Sequence, residues 1–329
     1  MAIMVCGGAG YIGSHCVYKL IERGEKVVVV DNLETGNEEA IHKEAVFYKG
    51  DIRDAEFIDS VFRKEKIDAV IHFAANSLVG ESMLKPLKYF NNNVHGTESL
   101  LNAMVDNNVK KIVFSSTAAV YGEPETELIK ETDPTNPTNT YGETKLMMEK
   151  MMRWVDEIHG MRYVSLRYFN VAGAHPNGEI GEAHDPETHL IPLVLRVPLG
   201  VRDKIMIFGD DYPTEDGTCI RDYIHVMDLV DAHILALDYL NKGSRSSVFN
   251  LGNGKGFSVK EIVDAAERAT GQTIARKVTP RRMGDPAVLV ASSEKAQRVL
   301  KWKPVYTDIE EIIKTAYDFY KTHKDGYKK

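Results

Sequence analysis

Ala2-Ile3-Met4-Val5-Cys6-Gly7-Gly8-Ala9-Gly10-Tyr11-Ile12-Gly13 sets the architecture of this chain. Five apolar residues run straight into a glycine turn, and the residues beyond it follow an apolar helical spacing that stops at Gly24. The order is strand, glycine turn, helix. Gly7, Gly10 and Gly13 permit a tight turn and close backbone approach to a pyrophosphate, which sits at the positive end of the helix that Tyr11 and Ile12 open. A second run, Lys26-Val-Val-Val-Val30, ends in Asp31, eighteen residues beyond Gly13. A carboxylate there accepts hydrogen bonds from both ribose hydroxyls and repels a 2′-phosphate, so the expected dinucleotide is NAD rather than NADP.

The alternation continues downstream. Ala45-Val-Phe-Tyr48 leads into Gly50-Asp51-Ile52, a helical segment covers 54 to 65, and Ala69-Val-Ile-His-Phe73 leads into Ala74-Ala75. A helix predicted from about Pro86 to Asn107 precedes Lys111-Ile-Val-Phe114, which ends in Ser115-Ser116-Thr117. Strands alternating with helices imply right-handed crossovers and a parallel sheet with its ligand at the carboxyl ends of the strands. Asp51 and Phe73 to Ala75 therefore belong to the ligand edge, and the three hydroxyls are expected to face it. His72, inside an apolar strand, reads as a packed histidine rather than a catalytic one.

After Arg162-Tyr-Val-Ser-Leu-Arg-Tyr-Phe169 the alternation lapses, and glycine, proline, histidine and acid increase from Asn170 to Thr188. The predicted fold is α/β, a doubly wound parallel Rossmann-type sheet with a smaller α/β lobe. Residues 1–170, with a returning segment at about 224–251, form the dinucleotide-binding domain. Residues 171–223 and 252–329 form the lobe, with helices near 258 to 269, 293 to 300 and 308 to 323. His184, Asp185, Glu187 and His189 have no established metal spacing, so no metal is expected. Arginines in separate loops, Arg221 and Arg281-Arg282, suit a diphosphate, because guanidinium groups bind phosphate bidentately.

Within this frame Tyr141-Gly142-Glu143-Thr144-Lys145 carries the chemistry. Thr140 with Glu143 reads as a capping box, so a helix begins at or beside Tyr141. Residues four apart share a helix face, which stacks the Tyr141 phenol on the Lys145 ammonium. A charge about 6 Å away, at an effective dielectric near 20, stabilises a phenolate by about 3 kcal/mol, or about two pKa units. Farther along, Tyr141, Lys145, Met148, Met152 and Val155 form one face, and Met147, Met151, Trp154 and Ile158 a second. Together they span about 180°, wider than the ~100° stripe that covers one core, so a homodimer is expected.

The chain has 329 residues, 43% hydrophobic and 27% charged, with a net charge of −7. That composition is globular, and the charge argues against nucleic acid or an anionic membrane as partner. Cys6, Cys16 and Cys219 are odd in number without metal spacing, and no apolar run reaches the roughly 18 residues of a membrane span. A cytoplasmic protein is expected.

Gly-Gly-Ala-Gly-Tyr-Ile-Gly, Asp31-Asn32, Tyr-x-x-x-Lys, Arg167-Tyr-Phe-Asn170, Arg221-Asp-Tyr-Ile-His and Arg281-Arg-x-Gly-Asp285 occur in this order. With them, and with Asp211-Tyr-Pro-Thr-Glu-Asp-Gly-Thr218, the chain resembles over essentially its whole length the UDP-glucose 4-epimerases of the extended short-chain dehydrogenase/reductase superfamily. The resemblance implies tightly held NAD, contacted by Gly7, Gly10, Tyr11, Ile12, Gly13, Asp31, Asn32, Thr35, Gly36, Asp51, Ile52, Phe73, Ala74, Ala75, Asn92, Tyr141, Lys145 and Phe169. It implies a UDP-hexose substrate lined by Thr117, Asn170, His189, Leu190, Phe208, Arg221, Tyr223, Arg282 and Asp285. Tyr141 then takes the proton of the sugar 4-hydroxyl while hydride passes from carbon 4 to NAD; the 4-keto sugar rotates, and hydride returns to its other face. Lys145 lowers the tyrosine pKa and binds the nicotinamide ribose, and Thr117 assists proton transfer.

Three positions depart from the pattern: Ser77 stands where many members carry lysine, His189 where asparagine is usual, and Leu289 where some members carry tyrosine. Steric relief at Leu289 predicts that N-acetylated UDP-hexosamines are also admitted. The rival readings are a nucleotide-sugar 4,6-dehydratase and a non-catalytic NAD-binding regulator. The first needs an Asp-Glu pair after the strand-end Thr, where this chain has Ala118-Ala119; the second need not keep Thr117, Tyr141 and Lys145 together.

Overall fold

A computed structural model of the chain describes residues 1–124, 126, 128–282 and 286–327. Strands Ala2–Cys6 (β1), Lys26–Asp31 (β2), Val46–Lys49 (β3), Ala69–His72 (β4), Lys111–Ser115 (β5) and Arg162–Tyr168 (β6) join strand Ser247–Leu251 in one seven-stranded sheet. Its order is Ser247–Leu251, β6, β5, β4, β1, β2, β3, and every pairing is parallel. The winding reverses between β1 and β4. A crevice opens at such a reversal beyond the carboxyl ends of the strands, where Gly7 and Phe73 lie.

A sheet covered on both faces explains the unbroken valine run of β2, in which residues 27 to 31 are all buried. Successive side chains alternate between two cores. Ile3, Val5, Val27, Val29 and Ile71 pack with Cys16, Leu20 and Leu237 on one side. Met4, Cys6, Val28, Val30 and Val70 pack with Ile58, Phe62, Leu100 and Met104 on the other.

Local chemistry corrects three expectations. The helix Thr140–His159 is capped by Asn139, whose side chain accepts from the Gly142 amide at 2.9 Å, so Thr140 lies inside it and no capping box with Glu143 forms. The stretch expected as one long helix is Pro86–Tyr89, a π-helical turn Phe90–His95 and Gly96–Asp106. That turn buries both Asn92 and Asn93, placing Asn93 between Asn76 and Thr144. The segment near 293 to 300, expected in the lobe, instead returns to the main sheet: Ala296, Leu300 and Trp302 join its core, and Lys295 Nζ donates to the Val248 carbonyl at 2.7 Å.

In the lobe, strand pairs Asn170–Ala172 with Tyr223–His225 and Ile205–Phe208 with Arg276–Thr279 are parallel. A three-stranded sheet holds Phe257–Ser258, Ile220–Arg221 and Val288–Leu289. Helices Leu190–Leu195, Val259–Thr270 and Ile309–Thr322 bury Ile191, Val194, Ile262, Ile313 and Phe319 together. Among the described residues no helix is long and apolar enough to cross a membrane.

Candidate functional site

The glycine turn is a cradle with no room for side chains. A Cβ at Gly13 would stand 2.0 Å from the Gly7 carbonyl oxygen, and one at Gly7, whose φ is +81°, 2.7 Å from the Ala74 nitrogen. Gly10 and Tyr11 open helix Tyr11–Glu22 beside it, followed by Ile12 and Gly13. The Tyr11 hydroxyl donates to the Gly173 carbonyl at 2.6 Å and so ties the turn to the lobe. Asp31, at the end of β2, accepts from the Ala9 amide at 3.0 Å and the Leu33 amide at 2.8 Å. Burial raises its carboxyl pKa, against the pull of both amides.

The neighbouring strand ends carry the rest of the expected dinucleotide set. Gly36 is packed against Ala9 and Asp31, and Thr35 lines a small cavity with Ala9, Gly10 and Tyr11. Asn32 donates to Asp51 at 3.0 Å, and Arg53 forks onto the same carboxylate, holding it well below the usual range. Ile52 is buried against Gly96. The Phe73 and Ala74 amides both donate to the Cys6 carbonyl, with Ala75 following, and Asn92 donates to Asn93 at 3.0 Å. Phe169 follows β6 and packs on a cluster of Ala118, Val120, Tyr121, Ile129 and Leu146. His72 is fully buried, bonded to Thr97 at 3.0 Å and held neutral by burial, with no part in this edge.

Thr117, Tyr141 and Lys145 do come together. Thr117 Oγ1 accepts from the Ala119 amide at 3.1 Å, and the Thr117 side chain is near enough to the Tyr141 phenol to favour its charged form. Lys145 is 3% exposed; its Nζ donates to the Ser115 carbonyl at 2.9 Å and lies 4.9 Å from the Phe114 ring centre and 6.0 Å from that of Tyr141. The expected depression of the tyrosine is absent. Burial disfavours both charged forms, pushing Tyr141 up to about 12, with only the Thr117 bond opposing, and Lys145 down to about 7. Of the three strand-end hydroxyls only that of Thr117 reaches the tyrosine; Ser115 bonds Tyr168, and Ser116 donates to Glu149 at 2.6 Å.

Glu149 belongs to a buried network that sequence reasoning missed. Arg167 Nε and Nη2 donate to it at 3.0 and 2.5 Å, Arg167 Nη1 donates to the Tyr121 hydroxyl at 2.9 Å, and that hydroxyl donates to Asn250 at 2.7 Å. A carboxylate one turn beyond Lys145 on an apolar helix face, and an arginine inside an apolar strand, were the available signals. Behind Tyr141, its backbone amide donates to Ser82 Oγ at 3.2 Å.

On the lobe side, Asn170 pairs in register with Tyr223 and donates to the Asp222 carbonyl. Arg221 pairs in register with Leu289, and its guanidinium donates to the Pro286 carbonyl at 2.9 Å. The Arg282 guanidinium lies 4.0 Å over the Phe208 ring, while Arg281 stacks on Tyr212 and pairs with Asp211 at 2.6 Å. His189 is the N-cap residue of helix Leu190–Leu195. Asp285 lies outside the described residues. Glu182, His184, Glu187 and His189 gather their donor atoms within 4.8 Å of one another, with Glu182 rather than Asp185 as the fourth member.

A model of the NAD dependent epimerase/dehydratase family matches residues 3–252. A UDP-glucose 4-epimerase of Halalkalibacterium halodurans is 59% identical over 327 residues, covering 99% of this chain and 98% of its own. A solved UDP-glucose 4-epimerase is 60% identical, with a TM-score of 0.98 and complete coverage of both chains. Another, from Bifidobacterium longum in complex with NAD+ and UDP, is 39% identical with a TM-score of 0.94, covering 99% of this chain and 100% of its own.

Proposed function

The chain belongs to the NAD dependent epimerase/dehydratase family, and from that premise we propose that it interconverts UDP-galactose and UDP-glucose by inverting carbon 4 through a transient 4-keto sugar. The full-length likeness to UDP-glucose 4-epimerases supports this reading. The observation that carries it is the convergence of three side chains: Thr117 pulls the Tyr141 phenol's pKa down, and the Lys145 ammonium lies 6.0 Å from the Tyr141 ring. The residues fit NAD: Gly7 and Gly13 leave no room for a Cβ, so backbone can approach a pyrophosphate, and the Asp31 carboxylate at the end of β2 would repel a 2′-phosphate. When bound, NAD supplies the hydride acceptor that takes hydrogen from carbon 4 and returns it.

The chain's own residues handle the proton and the orientation. Tyr141 takes the 4-hydroxyl proton and returns it to the other epimer. Thr117 already accepts from the Ala119 amide, so its own hydrogen is available to the phenolate oxygen. Lys145, anchored on the Ser115 carbonyl, would support the phenolate when protonated and would hold the dinucleotide's ribose. Asn170, His189, Leu190, Phe208, Arg221, Tyr223, Arg282 and Asp285 form the UDP-hexose side. Ala118 and Ala119 offer no acid or base for eliminating water, which disfavours the dehydratase reading.

The active unit in this reading is a cytoplasmic homodimer. Trp154 is 57% and Ile158 71% exposed on the outer face of helix Thr140–His159, and Leu84 and Leu87 on the adjoining helices are 83% and 80% exposed. Exposed apolar side chains of this size on neighbouring helices support an interaction surface. The decisive experiment is to purify the protein, look for bound NAD, and follow conversion of UDP-galactose to UDP-glucose without added cofactor. Bound NAD with turnover is expected, since hydride returns within each cycle. Strict dependence on added NAD with accumulation of NADH would instead mean an ordinary dehydrogenase.

A further inference from the structure

We propose that Glu182, His184, Glu187 and His189 form a binding site for one divalent cation of zinc's chemistry, beside the nucleotide-sugar cleft. The site is built inside an eight-residue stretch between strand Asn170–Ala172 and helix Leu190–Leu195. His184 Nδ1 lies 3.1 Å from Glu182 Oε1 and 3.9 Å from Glu187 Oε2, and His189 Nδ1 lies 3.7 Å from Glu187 Oε1. Two ligands each about 2.0–2.1 Å from one tetrahedral ion stand roughly 3.3 Å apart, so these separations bracket the required edge. Two imidazole nitrogens with two carboxylates are a donor set that suits zinc.

A second observation points to a ligand. Glu187 Oε2 is buried without a hydrogen-bond partner, with His184 Nδ1 3.9 Å away, and the Glu187 side chain is 1% exposed. A carboxylate oxygen that far from water demands a donor or a cation. Its other oxygen is fixed, accepting from the Thr188 amide at 2.7 Å and the His189 amide at 2.8 Å, so Oε2 is aimed into the cluster. Such second contacts orient metal ligands. The Tyr320 hydroxyl anchors the backbone of Glu182 at 2.8 Å. His189, with 48% of its side chain exposed, gives an entry path. In the protein alone, a hydrogen bond of 2.5 Å from His189 Nδ1 to Glu182 Oε1 joins one pair of ligands directly.

The ion would clip the loop that presents His189 and Leu190 and that touches Tyr11 through His184, whose rings meet edge-on at 6.3 Å. This placement beside the sugar cleft rests on the epimerase reading, but binding of the ion does not.

The test uses the full chain with its bound dinucleotide, purified without a metal-affinity tag. Elemental mass spectrometry should find about one zinc per chain, or the chelator-treated protein should take up one equivalent of Zn2+. Cobalt should substitute with the visible bands of tetrahedral coordination. Glu187→Gln and His184→Ala should each weaken zinc binding by about 10–100-fold, with circular dichroism and NAD content confirming the fold. No retained zinc and no uptake, cobalt bands of octahedral type, or variants that bind as tightly as wild type would overturn the site, leaving an ion-pair cluster or an adventitious ion only. Epimerase assays on the same samples are a separate readout: protein that turns over but neither retains nor takes up zinc sinks this proposal alone, and zinc-loaded protein without turnover sinks only the epimerase reading.

Discussion

The Lys145 ammonium nitrogen stands 6.0 Å from the centre of the Tyr141 ring, yet its hydrogen bond goes to the Ser115 carbonyl, at 2.9 Å. Proximity alone therefore does not populate the phenolate near neutral pH. Lys145 is buried and Tyr141 half-buried, and desolvation opposes the charge on each. A further positive charge in the crevice is what would turn this pair toward proton abstraction near neutral pH.

Burying Lys145 has a consequence for stability. Its pKa falls from 10.5 in the unfolded chain to about 7 in the folded one. Between those values the unfolded state binds more protons, so stability rises with pH across that window, and the cost is fully present below pH 7. The gross cost is on the order of 4 kcal/mol, and leaving the Ser115 carbonyl without its donor returns about 1–3 kcal/mol of it. At matched dinucleotide occupancy, Lys145→Met should be more stable than wild type by about 2 kcal/mol at pH 7 in denaturant titrations, with a flatter pH slope and little turnover. An equally steep slope in the variant would show that Lys145 is not its source.

Removing only the phenolic oxygen isolates the proton step. Tyr141→Phe should keep its fold and its NAD and lose at least about 10²-fold in turnover, the low end of general acid/base catalysis. Near-normal turnover would remove Tyr141 from the mechanism.

Beneath the site, Glu149 and Arg167 are each 6% exposed and meet through two hydrogen bonds. Glu149→Gln removes one charge of a buried pair and leaves the guanidinium unopposed. A loss of about 3–5 kcal/mol is expected in equilibrium unfolding. A loss below about 1 kcal/mol would mean that water reaches Arg167 in solution.

For the dimer, Trp154→Asp puts a charge on the exposed face of helix Thr140–His159. Sedimentation should show monomers at concentrations where wild type is dimeric. An unchanged dimer would move the interface elsewhere.

Substrate breadth is tested at Leu289, which is half-buried, pairs in register with Arg221 and packs on the cluster containing Leu146 and Tyr121. Wild type should turn over both plain and N-acetylated UDP-hexoses, and Leu289→Tyr should lose the acetylated ones selectively, by about 10–200-fold. Equal handling of acetylated sugars by the tyrosine variant would mean that another residue forms the wall.

Periodic and local features were legible in the sequence. Apolar runs ending in Gly7, Asp31 and Phe73 located the strand ends, because a parallel sheet buried on both faces leaves unbroken aliphatic strings. Tyr141 and Lys145 share a face because helical spacing requires it. What escaped were interactions between distant segments. Competition between Asn139 and Thr140 for the cap was settled by which side chain reached the Gly142 amide. The direction of the Lys145 and Tyr141 shifts depended on burial, which spacing does not report. Glu149 found Arg167, and Glu182 joined two histidines, through folding of the chain around them.

The bond between Tyr121 and Asn250 also sets a timetable. Strand Ser247–Leu251, which carries Asn250, is synthesised about 80 residues after β6, the neighbour it pairs with. At ~5–20 residues per second, a ribosome needs roughly 4–16 s to cover that gap. During that interval β6 is an open edge, and the support beneath Tyr141 and Lys145 lacks its last member. The nascent protein thus carries β6, with Val164 and Leu166, as an open sheet edge for seconds before its chemistry can be assembled.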